Sequence, residues 1–228
     1  VVGVNQIEQI AAVCEGAGQL RAPGGPYLYD ERTPRVLATP PHYAYVKIAE
    51  GCNHTCSFCV IPRLRGRFRS RRPESVVREV AALLGRGVKE INLVGQDTTS
   101  YGIDLGLKEG LAYLLGLLAN LRSPGEKWIR FLYAYPNRIT GRLLDVMAGH
   151  ESLVNYIDLP LQHASAGVLK RMRRGGSGEA FLKLIEKIRR RLPGVALRTS
   201  LIVGFPGESE KDFAELCQFV EAARFEHL

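Results

Sequence analysis

The chain has 228 residues, of which 46% are hydrophobic and 24% are charged, and its formal net charge is +8. This length suffices to bury one large core, and since no apolar run is long enough to span a bilayer we expect no membrane partner. The five cysteines are an odd number with three of them in one short loop, which argues against a disulfide framework and favours a reducing, cytoplasmic setting.

Residues 1–40 are predicted to precede the main domain. They contain the turn-forming runs Pro23–Pro26 and Pro40-Pro41, and they begin with Val1 rather than an initiator methionine. A basic region followed by an apolar one, which would mark a signal peptide, is not seen. We therefore expect a piece of a larger protein, in which residues 1–40 are the tail of an N-terminal domain plus a linker and residues 41–228 are one α/β domain.

Within residues 41–228, apolar runs of strand length alternate with amphipathic helices. The predicted strands are Tyr43–Ala49, Glu90–Val94, Trp128–Tyr133, Tyr156–Leu159 and Ala196–Val203. The segment Phe225–Leu228 begins like a sixth strand. Because strand–helix alternation is typical of parallel sheets, the pattern predicts a parallel α/β sheet or barrel.

The predicted helices between the strands each have one apolar face. The residues of these faces are Val76, Val77, Val80, Leu83 and Leu84; Leu111, Leu114, Leu115 and Leu118; Phe181, Leu184, Ile185, Ile188 and Leu192; and Phe213, Leu216, Cys217 and Val220. A capping box of Ser209 and Asp212 is predicted to start the last helix. Cys217 is predicted to lie in the core.

Each predicted strand ends in a polar loop. Parallel α/β folds place functional groups at the carboxyl ends of their strands. In chain order the loops are Gly51–Cys59, Gly95–Gly102, Tyr135–Arg138, Pro160–Ser165 and Gly204–Glu208. If the sheet closes into a barrel, all five loops converge on one mouth.

The first loop contains Cys52, Cys56 and Cys59, separated by three and two residues. Three cysteines cannot all pair with one another, so disulfides do not account for them. A structural zinc site normally has four protein ligands, whereas a 4Fe-4S cluster on three cysteines leaves one iron open to a small molecule. The spacing favours the cluster with an open iron.

Zinc is the alternative, with His54 as the fourth ligand. Cys52 and His54 are only one residue apart, however, where an extended backbone turns two side chains to opposite faces. A zinc site would make the chain a zinc-stabilised nucleic-acid-binding module without catalytic activity.

The CxxxCxxC motif, with the aromatic Phe58 before its last cysteine and a strand before the loop, resembles the radical S-adenosylmethionine (SAM) superfamily. The resemblance implies a partial (β/α)6 TIM-like barrel, of which this chain would lack part of the last strand. It also implies that the open iron binds the amino and carboxylate groups of SAM, which is cleaved to a 5′-deoxyadenosyl radical. Phe58 would belong to the cofactor site.

Longer segments resemble the methylthiotransferases of that superfamily, over nearly the whole chain. They are Ala49–His54, Gln96–Asp104, Leu159–Ser165 and Ile202–Glu208. The QDTT…YGID pattern and the Gln-His-Ala after the fourth strand are similar to the branch that modifies a ribosomal protein. The transfer-RNA branch more often has Gln-Asn and Gln-Ser-Gly at these places.

The resemblance implies a substrate and further cofactors. The reaction would add a methylthio group to the β-carbon of an aspartate in protein twelve of the small ribosomal subunit, using SAM twice and an electron donor. The family has a second 4Fe-4S cluster on three cysteines of an N-terminal domain. Because Cys14 is a single cysteine, this chain alone is expected to bind SAM without completing sulfur insertion. A transfer-RNA adenosine methylthiotransferase is the enzymatic alternative.

The resemblance also suggests SAM contacts beyond the cysteine loop. Gln96 and Asp97 would contact the amino group or ribose, Gln162 and Arg198 the ribose and carboxylate, and Gly204 the adenine. Arg198 could instead pair with Asp158 or Asp97, and Gly204 could simply form a turn. We expect His163 to be hydrogen-bonded structure rather than a catalyst, so no catalytic residue is assigned.

Basic residues are unevenly distributed along the chain. They cluster at Arg63, Arg65, Arg67, Arg69, Arg71 and Arg72, and again at Lys170, Arg171, Arg173 and Arg174. Such clusters attract phosphate backbones without reading their sequence. They predict contact with ribosomal RNA or transfer RNA, with a solvated surface or a closure of the cluster mouth as alternatives.

Overall fold

The computed structural model describes residues 2–16 and 27–228, and the turn predicted at residues 23–26 lies outside these ranges. Residues Val4–Gln9 form a 3-10 helix that leads into the short helix α1 (Ile10–Cys14). The division into a tail at 1–40 and a domain at 41–228 stays a prediction.

Strands and helices alternate through the rest of the chain. The strands are β1 (Tyr43–Lys47), β2 (Ala49–Glu50), β3 (Arg69–Ser70), β4 (Glu90–Val94), β5 (Trp128–Phe131), β6 (Tyr156–Asp158) and β7 (Ala196–Arg198). The helices after α1 are α2 (Ile61–Arg65), α3 (Pro73–Gly85), α4 (Gly110–Ala119), α5 (Gly141–Ala148), α6 (Ala166–Arg171), α7 (Gly178–Arg191) and α8 (Glu210–Ala223). Over the described ranges, none of the helices has both the length and the apolarity needed to cross a bilayer.

The main strands are parallel and neighbour one another in chain order. β1, β4 and β5 form one sheet in that order, and β6 pairs in parallel with β7. Parallel bridges from Ile129 to Leu153 and from Arg198 to His227 extend this order at β5 and β7. The predicted partial α/β barrel is confirmed, whereas of the predicted sixth strand, Phe225–Leu228, the structure has only the isolated bridge at His227.

The hydrophobic core lies between these strands and the helices that cross from one strand to the next. α3 contributes Val76, Val80, Leu83 and Leu84, all of them buried as predicted. Successive helices contact each other around the outside, α3 with α4, α4 with α5, α5 with α7 and α7 with α8. Burial of these apolar faces is what fixes the strand ends, and therefore the loops, in space.

Four of the five predicted strands are too long. Two of them differ only slightly, because β5 ends at Phe131 and β6 at Asp158, two residues and one residue before their predicted ends.

The other two differ more. The predicted strand Tyr43–Ala49 is divided, because Ala49–Glu50 turns away from β4 to pair antiparallel with β3. The predicted strand Ala196–Val203 ends at Arg198, beyond which Leu201 makes only a single bridge to Gln162. An apolar run shows where a strand can exist, but the backbone pairing decides where it ends.

Helix α8 corrects the prediction for Cys217. The capping box of Ser209 and Asp212 is confirmed, but Cys217 is exposed, while Leu216, Phe219 and Ala223 form the buried face. Consecutive residues are rotated by about 100° around a helix axis. Cys217 therefore points away from the core that Leu216 enters.

Candidate cofactor site at the cysteine loop

The cysteine loop (Gly51–Cys59) follows β2 and is anchored on two sides. The Cys52 N–H donates to the Gly66 carbonyl at 3.2 Å, and the Ser57 N–H donates to the Met172 carbonyl at 3.0 Å. The loop is thereby held between the chain entering β3 and the end of α6. Its position does not depend on a bound ligand alone.

Gly51 is required where the loop leaves β2. Its φ is +80°, and a Cβ atom would lie 2.3 Å from the Arg67 carbonyl oxygen. No side chain fits at that distance from a backbone atom, and the left-handed backbone itself favours glycine. The close crossing of the two segments sets the direction in which the first cysteine enters the site.

A cavity of about 320 Å³ lies at the carboxyl ends of the strands, with Cys52, Cys56 and Cys59 in its wall. Residues that follow β4, β5, β6 and β7 complete the wall. They are Gln96, Asp97, Tyr133, Ala134, Tyr135, Pro160, Gln162, Arg174 and Ser200, together with His54 and Phe58. The predicted convergence of strand ends is confirmed, although Ser200 rather than Gly204–Glu208 represents β7.

His54 is oriented by groups other than the cysteine thiols. Its Nε2 lies 2.7 Å from Asp97 Oδ2, and its ring stacks on Tyr135 with centroids 3.9 Å apart and planes 8° from parallel. Over residues 2–16 and 27–228, no three His, Cys, Asp or Glu side chains, the three cysteines of the loop included, are grouped closely enough to hold a single metal ion. The contacts of His54 with Asp97 and Tyr135 give this residue a structural role that requires no metal.

Asp97 is a buried anchor for this part of the site. Its Oδ1 accepts hydrogen bonds from Thr99 Oγ1 at 2.6 Å and from the Ser100 N–H at 3.2 Å, while Oδ2 faces His54. Burial alone would raise the pKa of the carboxyl, but the bonds from His54, Ser100 and Thr99 outweigh it and lower the pKa. The negative charge of Asp97 is therefore already stabilised by hydrogen bonds from the protein.

Two glutamines, Gln96 and Gln162, also line the cavity. Gln96 Oε1 is buried and has no hydrogen-bond partner within the described part of the chain. A buried acceptor without a donor costs free energy, on the order of 1–3 kcal/mol, unless a ligand supplies the donor. The backbone of Gln162 has a φ of +75°, an uncommon conformation that directs the chain along the cavity wall.

The remaining predicted contacts lie at different places. Phe58 is 40% exposed, lines the cavity and meets Phe205 edge-on with centroids 6.5 Å apart. Arg198 pairs with Asp158 at 2.8 Å and is not part of the cavity wall. Gly204 has a φ of +72° with no atom within 4 Å of an added Cβ, so in this structure it forms an open turn.

His163 is part of the structural hydrogen bonding, as predicted. It is completely buried, its Nδ1 accepts the Ser165 N–H at 3.0 Å, and its Nε2 lies 3.4 Å from Glu208 Oε1. These contacts connect the loops after β6 and β7. His163 therefore fixes two loop positions and does not face the cavity.

Burial also affects one thiol of the site. It raises the pKa of the Cys52 thiol, partly offset by the His54 N–H, which lies 3.4 Å from Cys52 Sγ. Such a thiol is a poor free nucleophile, but it becomes a good ligand when a metal replaces its proton. Three thiols around one cavity, with an orphaned acceptor at Gln96, fit an iron–sulfur cluster that has a polar organic cofactor beside it.

Several residues of the cavity wall are not predicted from the sequence, and Tyr135 and Arg174 are the two with the most specific contacts. The pattern places Tyr135 only in a loop and Arg174 only in a basic cluster, yet Arg174 Cζ lies 4.5 Å from the Tyr135 ring centroid. The Arg174 Nη1 lies 3.7 Å from Cys56 Sγ. The sequence gives no indication that neighbouring arginines differ in their burial and in their partners.

Comparison with known protein sequences agrees with this geometry. A ribosomal protein uS12 methylthiotransferase RimO of Solibacter usitatus (strain Ellin6076) is 64% identical over 228 residues, which is 100% of this chain and 49% of that protein. The RimO of Koribacter versatilis (strain Ellin345) is 62% identical over 202 residues, or 89% of this chain and 40% of that protein. The chain thus spans about half the length of the curated relatives it matches.

Solved structures show the same fold at low sequence identity. The radical SAM methyltransferase TsrM from Kitasatospora setae, solved with cobalamin and a 4Fe-4S cluster bound, has a TM-score of 0.65 and 17% identity, covering 80% of this chain and 35% of TsrM. The coproporphyrinogen III oxidase HemN from Escherichia coli has a TM-score of 0.59 and 19% identity, covering 83% of this chain and 44% of HemN.

A family model decides the assignment. The model described as the Radical SAM superfamily matches residues 46–220, from β1 into α8, and includes the whole cysteine loop. This superfamily uses a 4Fe-4S cluster and SAM, in agreement with the chemistry expected from the sequence. The chain belongs to the radical SAM superfamily.

Proposed function

We propose that this chain is the radical SAM core of a methylthiotransferase that adds a methylthio group to the β-carbon of an aspartate in ribosomal protein uS12. The observation that supports a radical SAM site most strongly is the presence of Cys52, Cys56 and Cys59 in the wall of one cavity at the strand ends. The substrate rests on the names of the relatives, which are 45–64% identical over most of this chain.

In this proposal the three cysteines hold the cluster and leave one iron for SAM. When bound, such a cluster would supply the electron that breaks a C–S bond of SAM and gives methionine and a 5′-deoxyadenosyl radical. The chain's own residues bind and orient SAM: Gln96 Oε1 accepts from its amino group or ribose, and Gln162 and Phe58 lie along the same wall. An external one-electron donor is needed as well.

Asp97, Arg198 and Gly204 remain predicted cofactor contacts. Asp97 and Arg198 already have protein partners at short distances, His54 and Asp158. Contact with SAM would have to be made in addition to those partners, so we assign both residues first to positioning the loops. Gly204 could approach adenine only if its turn folds toward the cavity.

The proposal includes parts of the enzyme outside this chain. Residues 1–40 would be the tail of an N-terminal domain and its linker, and residues 41–228 the barrel. The second 4Fe-4S cluster would be held by three cysteines elsewhere in the whole protein, since Cys14 is the single cysteine before β1. Sulfur insertion would then require the whole protein, while SAM cleavage would require only this core.

Contact with ribosomal RNA is proposed for part of the basic surface. In the structure, Arg65 forms an ion pair with Glu50, and Arg71 forms one with Glu79. Arg63, Arg67 and Arg173 are exposed and have no carboxylate partner among the described residues, and Arg63 and Arg173 line a second cavity beside the cysteine loop. Guanidinium groups without a carboxylate partner are the ones available to phosphates.

Anaerobic reconstitution of the chain with iron and sulfide tests the core of the proposal. We expect about four irons per chain, reductive cleavage of SAM to 5′-deoxyadenosine, and loss of both in variants that replace Cys52, Cys56 or Cys59 with alanine. Cys217→Ala is the matched control, because Cys217 is exposed on α8. A chain that takes up one zinc and no cluster would instead support the non-enzymatic zinc module.

The substrate assignment needs the whole protein. Incubated with SAM and a reductant, it should thiomethylate uS12 in small ribosomal subunits, detected by mass spectrometry of the modified peptide. Modification of an adenosine in an anticodon-loop RNA, with uS12 unchanged, would assign the enzyme to the transfer-RNA branch.

A further inference from the structure

Arg174 differs from the other arginines near the cysteine loop in what surrounds its guanidinium. The residue lies just beyond α6 and is half-buried. Its Nη2 donates to the Pro160 carbonyl at 2.9 Å, and its Nη1 donates to Cys56 Sγ at 3.7 Å. One planar group therefore connects the loop after β6 with the middle cysteine of the motif.

The aromatic ring of Tyr135 fixes the plane of this guanidinium. Arg174 Cζ lies 4.5 Å from the Tyr135 centroid, and the His54 ring stacks on Tyr135 at 3.9 Å. Because both groups cannot occupy the same face of the ring, Tyr135 lies between them. The resulting stack of His54, Tyr135 and Arg174 leaves the guanidinium little freedom to turn away from Cys56.

The charge of Arg174 is not neutralised by a carboxylate. Among residues 2–16 and 27–228 no Asp or Glu forms an ion pair with it, whereas its neighbour Arg171 pairs with Asp212 at 3.6 Å. A guanidinium stays protonated at all ordinary pH values. Arg174 thus brings a permanent positive charge to the wall that contains the cysteines.

We propose that Arg174 is a positioning residue that also sets the reduction potential of the cluster, by donating an N–H···S hydrogen bond to Cys56 and by placing its positive charge beside that ligand. Reduction adds one negative charge to a cluster. Hydrogen bonds to the sulfurs and nearby positive charge stabilise the reduced form and so raise the midpoint potential. This inference rests on the proposed cluster at Cys52, Cys56 and Cys59.

The test is a redox titration of the reconstituted chain followed by electron paramagnetic resonance. In Arg174→Met, which keeps length and apolar stem, we expect the ratio of reduced to oxidised cluster at a fixed potential to fall about tenfold, equivalent to about 59 mV for a one-electron couple. Arg174→Lys keeps the charge but cannot reach both Pro160 and Cys56, so a smaller shift in the same direction is expected. Lys170→Met removes one exposed charge from α6 and should leave the midpoint potential unchanged.

The outcomes separate this inference from the proposed function. If the wild-type chain forms no cluster, the proposed function fails. If it forms the cluster but Arg174→Met or Arg174→Lys has the wild-type potential, only the role of Arg174 is overturned. Should Arg174→Met fail to fold or to take up iron, Arg174→Lys and Tyr135→Leu, which removes the ring that orients the guanidinium, decide the question by the same titration.

Discussion

The Arg198 guanidinium on β7 lies 2.8 Å from Asp158 Oδ1 on the adjacent strand β6. Asp158 is completely buried, and its Oδ2 accepts the Tyr133 N–H at 3.0 Å. One carboxylate therefore ties together the chain after β5 and the ends of β6 and β7. These are three of the strand ends that contribute residues to the wall of the candidate cofactor cavity.

Replacing Arg198 should show whether this pair or a cofactor contact is its main role. Arg198→Met leaves the buried Asp158 carboxylate with one hydrogen bond, so we expect the free energy of unfolding to fall by about 1–2 kcal/mol. This loss is smaller than for a fully buried ion pair because the Arg198 side chain is 44% exposed. Urea denaturation measures this loss. A variant as stable as the wild type that has lost SAM binding would assign Arg198 to the cofactor instead.

Substitution of Gly51 should disturb the cysteine loop more than substitution of any other glycine at the site. An added Cβ would lie 2.3 Å from the Arg67 oxygen, so we expect Gly51→Ala to cost about 3 kcal/mol or more and to reduce iron uptake. The control is Gly204→Ala, which also has a positive φ but open space around it and should cost only about 1 kcal/mol. Equal effects of the two variants would show that the close crossing at Gly51 is unimportant.

Arg71 is predicted to stabilise the fold rather than to bind a partner. It is 1% exposed, pairs with Glu79 at 2.5 Å and donates to Ser75 Oγ at 2.9 Å. Arg71→Met would leave Glu79 paired with Arg35 alone, and it should lower the free energy of unfolding by about 1–3 kcal/mol. The exposed Arg67→Met should change it by no more than about 0.5 kcal/mol. Thermal unfolding of both variants checks the difference, and similar melting temperatures would contradict it.

RNA binding should depend on the exposed arginines that have no carboxylate partner. In the whole protein, each of Arg63→Met, Arg67→Met and Arg173→Met should weaken binding to small-subunit ribosomal RNA and reduce the slope of log K against log salt by about 1. Lys183→Met on α7, where the lysine pairs with Glu179, is the control and should leave the slope unchanged. Slopes that match the wild type in all three arginine variants would remove RNA contact from the proposal.

The parts of the molecule that follow from local pattern were predictable. Strand β4, the buried face of α3 and the capping box of α8 are set by periodicity and by residues close in sequence. The spacing of the three cysteines is likewise visible within one loop. These features need no knowledge of the rest of the chain.

Features that depend on contacts between distant residues were not predictable. The antiparallel pairing of β2 with β3 depends on a chain reversal after the cysteine loop. Arg71 is buried and Arg63 is exposed, and this difference depends on where Glu79 lies in the folded chain. The contact of Arg174 with Cys56, 118 residues earlier, belongs to the same class.

Electron–nuclear double resonance tests the central claim most directly, using the reduced cluster and SAM labelled with a magnetic isotope at its amino nitrogen. If Cys52, Cys56 and Cys59 hold a cluster with one open iron, the spectrum should show a coupling between the cluster and the labelled nitrogen, and unlabelled SAM should replace that signal with the signal of ordinary nitrogen. A cluster with no coupling to SAM, or a chain that holds a single zinc ion at these cysteines, would contradict the account.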